Sequence, residues 1–158
     1  MSIHYVAGFC FTPDRRHVAL VWKNRPKWQA GKLNGIGGKV EPEETAIEAM
    51  EREFREEAGI RVTGWRHFCS LGADTDRHAE LPTGWRVEFF VAFDAMEGFR
   101  TVTDEKVQLV PVNAVPALPH LPNLDWLIPM ALSADGLTAQ VIETAHSRLD
   151  TSDAIPTR

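Results

Sequence analysis

The segment from Gly37 to Ile60 constrains the fold of this chain more than any other. Thr45 followed by Glu48 is a capping-box pattern, which predicts that a helix begins directly after Thr45. Gly59 suits the left-handed position that ends a helix. Apolar residues at three- and four-residue steps predict one helix face packed on a core, and these are Ile47, Met50, Phe54 and Ala58.

Three carboxylates project from another face of this predicted helix. Glu53, Glu56 and Glu57 stand at i, i+3 and i+4, a spacing at which like charges repel. A solvated acidic face is the simplest interpretation. Two neighbours favour a binding role instead: Arg52 can hold one carboxylate, and the preceding Gly37-Gly38 loop lets a ligand approach the backbone closely. Clustered carboxylate oxygens suit Mg²⁺ or Mn²⁺, which leave other coordination positions to water and phosphate.

The same segment resembles the signature of the Nudix hydrolases. Gly38, Glu44 and the run at 52–60 (REFREEAGI) stand at the family's spacing. The resemblance implies an α/β fold, an α/β/α sandwich with a mixed central sheet, in which the signature helix and a C-terminal helix cover opposite faces. It also implies hydrolysis of a nucleoside diphosphate linked to another group.

The resemblance further implies roles for individual residues. The implied ligands of Mg²⁺, or of Mn²⁺ in its place, are the Gly37 carbonyl and the carboxylates of Glu53, Glu56, Glu57 and Glu105. Glu53 is the first candidate for the general base, while Arg52 and Glu44 would orient the ligands. Metal there would neutralise phosphate charge and lower the pKa of a bound water.

A second, weaker resemblance concerns the base pocket. The run at 33–40 is similar to the matching run in Nudix enzymes that hydrolyse oxidised purine nucleoside triphosphates, where the matching Asn contacts the purine. Trp28 would line that pocket, or it is simply a core residue. The Asp125-Trp126 pair resembles an acidic-aromatic element that holds the base, although a plain packing helix explains it equally well. The substrate-binding candidates are therefore Asn34, Trp28, Lys39, Asp125 and Trp126.

A further absence in the sequence bears on the substrate class. Residues 62–81 contain neither the Pro nor the Tyr that Nudix enzymes specific for ADP-ribose or dinucleoside polyphosphates tend to carry there. Together with Asn34, this absence favours a nucleoside triphosphate, with an oxidised purine among the candidate bases, cleaved to monophosphate and pyrophosphate. A nucleotide sugar or another nucleotide conjugate is the alternative substrate. A non-catalytic nucleotide sensor on the same fold is disfavoured, because such relatives usually lose signature carboxylates.

Composition limits the remaining choices. The 158 residues predict one domain at 1–150 followed by a flexible tail at 151–158. A net charge of −5 disfavours nucleic acid or a membrane as partner. No signal peptide or membrane span is recognisable. Cys10 and Cys69 lack metal-site spacing, so we expect buried reduced thiols in a cytoplasmic protein. The oligomeric state cannot be read from the sequence.

Hydrophobic patterning predicts the other elements. Strands are expected at 5–11, 18–22, 62–71, 85–93 and 107–112, and helices at 124–133 and 137–148. The basic loop at 23–27 is either a solvated linker or a contact for the anionic substrate. His78, in a polar loop at 72–84, is either an exposed side chain or a catalytic base.

Overall fold

The computed structural model describes residues 3–74, 84–133 and 139–144. Seven strands are formed by these residues: β1 Ile3–Phe11, β2 His17–Trp22, β3 Leu33–Lys39, β4 Arg66–Asp74, β5 Gly84–Phe93, β6 Val107–Pro111 and β7 Ala139–Thr144. The α-helices are α1 Ala46–Ala58 and α2 Leu124–Ser133, and a 3₁₀ helix spans Val112–Ala117. His78 and the segment at 151–158 lie outside the described residues.

The strands form one mixed sheet in the order β6-β2-β3-β1-β5-β4-β7. The central strand β1 runs parallel to β5 and antiparallel to β3. At one end of the sheet β2 pairs antiparallel with both β3 and β6. At the other end β4 pairs antiparallel with β5 and parallel with β7. The predicted mixed central sheet is therefore confirmed.

The two helices cover opposite faces of this sheet. Alternate side chains of β1 point to opposite faces, as the two-residue period of a strand requires. Cys10 shares a buried cluster with Met50 and Phe54 of α1. Phe9, its neighbour in sequence, belongs to a separate buried cluster with Leu127 of α2. The arrangement is the predicted α/β/α sandwich.

The predicted ends of the signature helix are confirmed, and one residue of its apolar face is not. Thr45 and Glu48 form the complete capping box, and Gly59 ends α1 at φ 71°. Ile47 was expected in the core, but 47% of it is exposed, and the buried residues are Ala49, Met50, Phe54 and Ala58. Ile47 lies in the first turn, so the buried face of α1 begins after that turn.

Two other predictions of local structure are wrong. The segment expected to form a helix at 137–148 contains β7, because its backbone pairs with the edge of β4 over six residue pairs and this pairing overrides local preference. The Gly37-Gly38 dipeptide was expected in a loop but lies in β3, whose three glycines weaken the sequence signal of a strand. The expected strand at 62–71 begins only at Arg66.

Both cysteines are buried and unpaired, as expected from the sequence. Burial raises the pKa of the Cys10 thiol to about 12, and the nearby Asp94 carboxylate adds to the effect. A thiol in that state behaves as a small apolar core residue rather than as a nucleophile.

Candidate active site

Arg52 holds the segment before α1 against the carboxylates of the helix. Its Nε and Nη2 atoms donate to the two oxygens of Glu44 at 2.7 and 3.0 Å. Its Nη1 donates to Glu53 Oε1 at 2.7 Å and to Glu56 Oε2 at 3.3 Å. The carbonyl of Lys39 accepts a further bond from Nη2 at 3.0 Å. One guanidinium thus links β3, the loop after it and two of the three clustered carboxylates. Arg suits this role because its planar guanidinium holds several N–H donors in a rigid arrangement.

Glu53 lies directly against the backbone of β3. A Cβ atom added to Gly38 would overlap the Glu53 carboxylate, so only glycine allows this approach. Gly37 is equally restricted, because a Cβ there would overlap the Val6 carbonyl of β1. Burial raises the pKa of Glu53, against the opposing effect of its bond to Arg52. A carboxylate with a raised pKa and one bonded oxygen is suited to accept a proton.

Glu57 is the least compensated charge in the cluster. Its Oε2 atom is buried and has no hydrogen-bond partner among the described residues. Burial raises the pKa of Glu57 to about 8; the Lys23 ammonium lowers it, and the charges of Glu53, Glu105 and Glu56 raise it further. A buried oxygen with no partner, surrounded by other carboxylates, is a position that favours a cation.

Glu105 reaches the same cluster from the loop before β6. It is only 7% exposed, and its two oxygens accept from Lys23 Nζ at 2.8 Å and from the Asn24 N–H at 2.6 Å. Burial alone would raise the pKa of Glu105, but the bonds to Lys23 and Asn24 hold it below its ordinary value. The basic loop at 23–27 is therefore bonded to the cluster at Lys23 and Asn24, while its exposed Arg25 pairs with both oxygens of Asp104 at 2.8 and 2.9 Å.

The oxygen atoms around Glu57 are of the type that binds a divalent cation. All are carboxylate oxygens, the ligands that Mg²⁺ and Mn²⁺ prefer, and the Glu57 Oε2 atom lacks a partner. Within the described ranges, however, no group of three or more His, Cys, Asp or Glu side chains is arranged to hold a metal. In this structure Arg52 binds oxygens of Glu53 and Glu56, and Lys23 binds one of Glu105.

A cavity of about 580 Å³ opens beside this cluster. Gly37, Gly38 and Lys23 line it at the end nearest the carboxylates, and the rings of Tyr5 and Trp28 contribute to its wall. Trp28 is 65% exposed, which excludes the core role considered for it. An aromatic ring that remains exposed at the edge of a cavity is available to stack on a flat ligand.

Asn34 also lines the cavity, and its amide is already oriented by the protein. The Gly35 N–H donates to Asn34 Oδ1 at 2.8 Å, and Asn34 Nδ2 donates to Gln29 Oε1 at 3.2 Å. Gln29 lines the cavity as well. Each Asn34 group keeps further bonding capacity, one N–H on Nδ2 and one lone pair on Oδ1.

Asn123 is a cavity residue that the sequence did not reveal. Its Oδ1 atom is buried without a partner among the described residues, and the side chain lines the cavity. The preceding chain is held beside β3, because the Leu33 N–H donates to the Pro119 carbonyl and the Leu121 N–H donates to the Leu33 carbonyl. An unpartnered acceptor in such a place favours a ligand that offers an N–H or O–H.

Three candidates for substrate binding lie away from the cavity lining. The Lys39 side chain is exposed, and Trp126 is on the outer side of α2. Asp125 accepts from His120 Nε2 at 2.7 Å, while His120 Nδ1 donates to the Leu118 carbonyl at 2.7 Å. The bond to Leu118 and the Asp125 carboxylate together raise the pKa of His120.

Comparison with known proteins gives one family match. Residues 3–129 match the model of the NUDIX domain. No curated protein sequence gives a significant match. Across the described residues, no helix has the length and apolar character needed to cross a bilayer.

Several solved structures share the fold at low sequence identity. The MutT protein of Bacillus halodurans is 22% identical, with a TM-score of 0.68 over 91% of this chain and 92% of that one. The NUDIX domain of Shewanella oneidensis NrtR, solved with ADP ribose, is 17% identical, with a TM-score of 0.68 over 84% and 87%. The E. coli dihydroneopterin triphosphate pyrophosphohydrolase is 18% identical, with a TM-score of 0.59 over 84% and 93%.

Proposed function

Because the chain belongs to the Nudix hydrolase family, we propose that it is a divalent-metal-dependent pyrophosphohydrolase of nucleoside triphosphates. Its products would be a nucleoside monophosphate and pyrophosphate. A purine is the proposed base, and oxidised purines are included in this class. As part of the same proposal we place the protein in the cytoplasm, because its two cysteines are buried, unpaired thiols.

One observation carries this proposal: the carboxylate cluster and the cavity share a wall. Gly38 lines the cavity and is also the residue against which the Glu53 carboxylate lies. Lys23 likewise lines the cavity while bound to Glu105. A ligand with a flat base in the cavity would therefore have its phosphates at the carboxylates, where only a bridging cation makes two anionic groups compatible.

The residues of the chain would divide the work of hydrolysis among them. The Gly37 carbonyl would hold Mg²⁺ together with the carboxylates of Glu53, Glu56, Glu57 and Glu105. The bound metal would neutralise phosphate charge and lower the pKa of a bound water. Arg52 keeps Glu53 in place through Oε1, which leaves Oε2 to accept the proton of the attacking water. Glu44 holds Arg52 and takes no direct part. The absence of a side chain at Gly38 lets the Glu53 carboxylate lie against β3 at the wall of the cavity.

The base would be held by the rings and amides of the cavity. Trp28 would stack on its face, while Asn34 and Asn123 would bond to its edge. Asn34→Ala should raise KM for the best purine substrate and narrow the gap between purines and pyrimidines, with little change in kcat. The reason is that a contact remote from phosphorus contributes alike in ground and transition states.

The test is product analysis across a panel of nucleoside triphosphates, oxidised purine triphosphates and nucleotide sugars, with Mg²⁺, with Mn²⁺ and with excess EDTA. We expect metal-dependent release of monophosphate and pyrophosphate, with label from ¹⁸O-water in one phosphate product. Nucleoside diphosphate plus orthophosphate would contradict the proposed orientation of the substrate. Turnover of nucleotide sugars alone would identify the alternative substrate class, and full activity in EDTA would exclude the role of metal.

A further inference from the structure

Gln29 is held at the cavity by the loop that carries it. Its N–H donates to the Pro26 carbonyl at 2.8 Å. The two ends of the loop are tied together, because the Gly31 N–H donates to the Lys23 carbonyl at 2.8 Å and the Lys23 N–H donates to the Lys32 carbonyl at 2.9 Å. The Gln29 side chain therefore starts from a fixed backbone position at the cavity wall.

The orientation of the Gln29 amide follows from two successive hydrogen bonds, the first of which is donated by the backbone N–H of Gly35. A backbone N–H can only donate, so the atom of Asn34 that faces the Gly35 N–H must be the oxygen Oδ1. The other atom, Nδ2, then faces Gln29 and must donate, so Gln29 presents Oε1 to it. Nε2 of Gln29 is left with its two N–H groups, and it donates to no protein atom in the described part of the chain.

We propose that Gln29 is a specificity-determining residue whose Nε2 donates to a carbonyl oxygen on the edge of the bound base. This inference rests on the proposed function, because it assigns a base class to the same cavity. A base with a carbonyl at that edge satisfies the donor. A base with an amino group there opposes donor to donor and leaves both without a partner.

Asn123 adds the complementary half of this pattern. Its unpartnered Oδ1 is an acceptor in the same cavity, so the cavity offers one free donor and one free acceptor. A 6-oxopurine carries a carbonyl beside a ring N–H, which matches the two in kind. A 6-aminopurine carries an amino donor beside a ring acceptor. In the same pose its amino group would face the Gln29 donor, and its ring acceptor would face the Asn123 oxygen. We therefore expect a preference for 6-oxopurines over 6-aminopurines.

The test compares GMP, IMP and AMP by isothermal titration calorimetry and GTP with ATP by steady-state kinetics. Gln29→Glu keeps an oxygen for Asn34 Nδ2 but replaces the donor with an acceptor, so the preference for the 6-oxopurine should fall at least about tenfold. The change should appear in KM and Kd rather than in kcat. Gln29→Met, which removes both groups at similar length, should lower the preference less. Lys27→Met, at an exposed neighbour outside the cavity lining, should leave it unchanged.

The two kinds of readout separate the inference from the proposed function. Monophosphate binding requires no turnover, so a protein that prefers GMP and IMP but hydrolyses nothing would refute the proposed function and leave the role of Gln29 intact. Equal binding of GMP and AMP by the unchanged protein would overturn the inference. So would an unchanged preference in Gln29→Glu and Gln29→Met whose thermal unfolding matches that of the parent.

Discussion

Replacing Glu57 by glutamine should make the metal-free protein more stable while removing its response to metal. The carboxylate of Glu57 is buried, carries an oxygen without a partner and lies among the charges of three other carboxylates. Glutamine has nearly the same shape but no charge. The substitution therefore removes the unfavourable charge without opening a cavity.

The size of the effect depends on pH in a defined direction. The pKa of Glu57 is raised from 4.5 to about 8, so the folded state holds the proton more tightly than the unfolded state does. The free energy of unfolding therefore falls progressively as pH rises from 4.5 through 8, by about 1.4 kcal/mol for each pH unit. Glu57→Gln should match the parent near pH 4. At pH 8 it should exceed the parent by an upper limit of about 4 kcal/mol in free energy of unfolding.

The measurement is urea unfolding in EDTA at pH 4 and pH 8, followed by tryptophan fluorescence. Glu56→Gln is the matched control, because that side chain is 53% exposed and its charge should cost little stability. A second pair of curves at saturating Mn²⁺ tests the metal. Metal at 100 times its Kd should stabilise the parent by about 2.7 kcal/mol, and Glu57→Gln should gain much less.

Two results would refute this reasoning. If Glu57→Gln were less stable than the parent at pH 8 without metal, the carboxylate would be a structural group whose partner the substitution removes. If the variant gained as much from Mn²⁺ as the parent, Glu57 would not be a ligand. In both cases the buried oxygen would need another explanation.

The remaining predictions concern the surroundings of the site. Gly37→Ala should lower the free energy of unfolding by about 1–3 kcal/mol in urea titration, because its Cβ would overlap the Val6 carbonyl, which cannot move aside. Arg52→Lys should lower kcat about 10- to 100-fold in steady-state assays with little change in KM, since an ammonium cannot reproduce the fork. His120 has a raised pKa, so its bond to Asp125 should stabilise the protein fully below pH 6.5 and progressively less as pH rises further; unfolding curves of His120→Gln should approach those of the parent at high pH.

The parts of the fold that were predicted correctly depend on neighbours in the sequence. A capping box closes within four residues and a helix C-cap needs one left-handed glycine, so both ends of α1 could be located from the sequence alone. The segment around 139–144 shows the limit of such reasoning. Its strand depends on pairing with β4, about 70 residues earlier, and no local pattern contains that partner.

The same limit explains why the sequence indicated only some of the polar residues that line the cavity. Asn34, which lines the cavity, was selected from the sequence because it adjoins the signature and its run resembles that of known enzymes. Asn123 lies beside it only because two backbone bonds join Leu33 to residues 119 and 121, a contact between segments far apart in the chain. Asp125, two residues further on, was chosen instead, yet its carboxylate is bound to His120.

The charges around the carboxylate cluster favour a further cation at the site, as the proposed function requires. Arg52 and Lys23 make ion pairs with Glu41, Glu44, Glu53, Glu56 and Glu105, so five carboxylates share two cations. Glu57 makes no ion pair in the described structure. The arrangement leaves an excess of negative charge next to the cavity, where a triphosphate would add several more. A divalent cation placed among these oxygens would reverse the local repulsion, and it would do so where the partnerless Oε2 of Glu57 already lies.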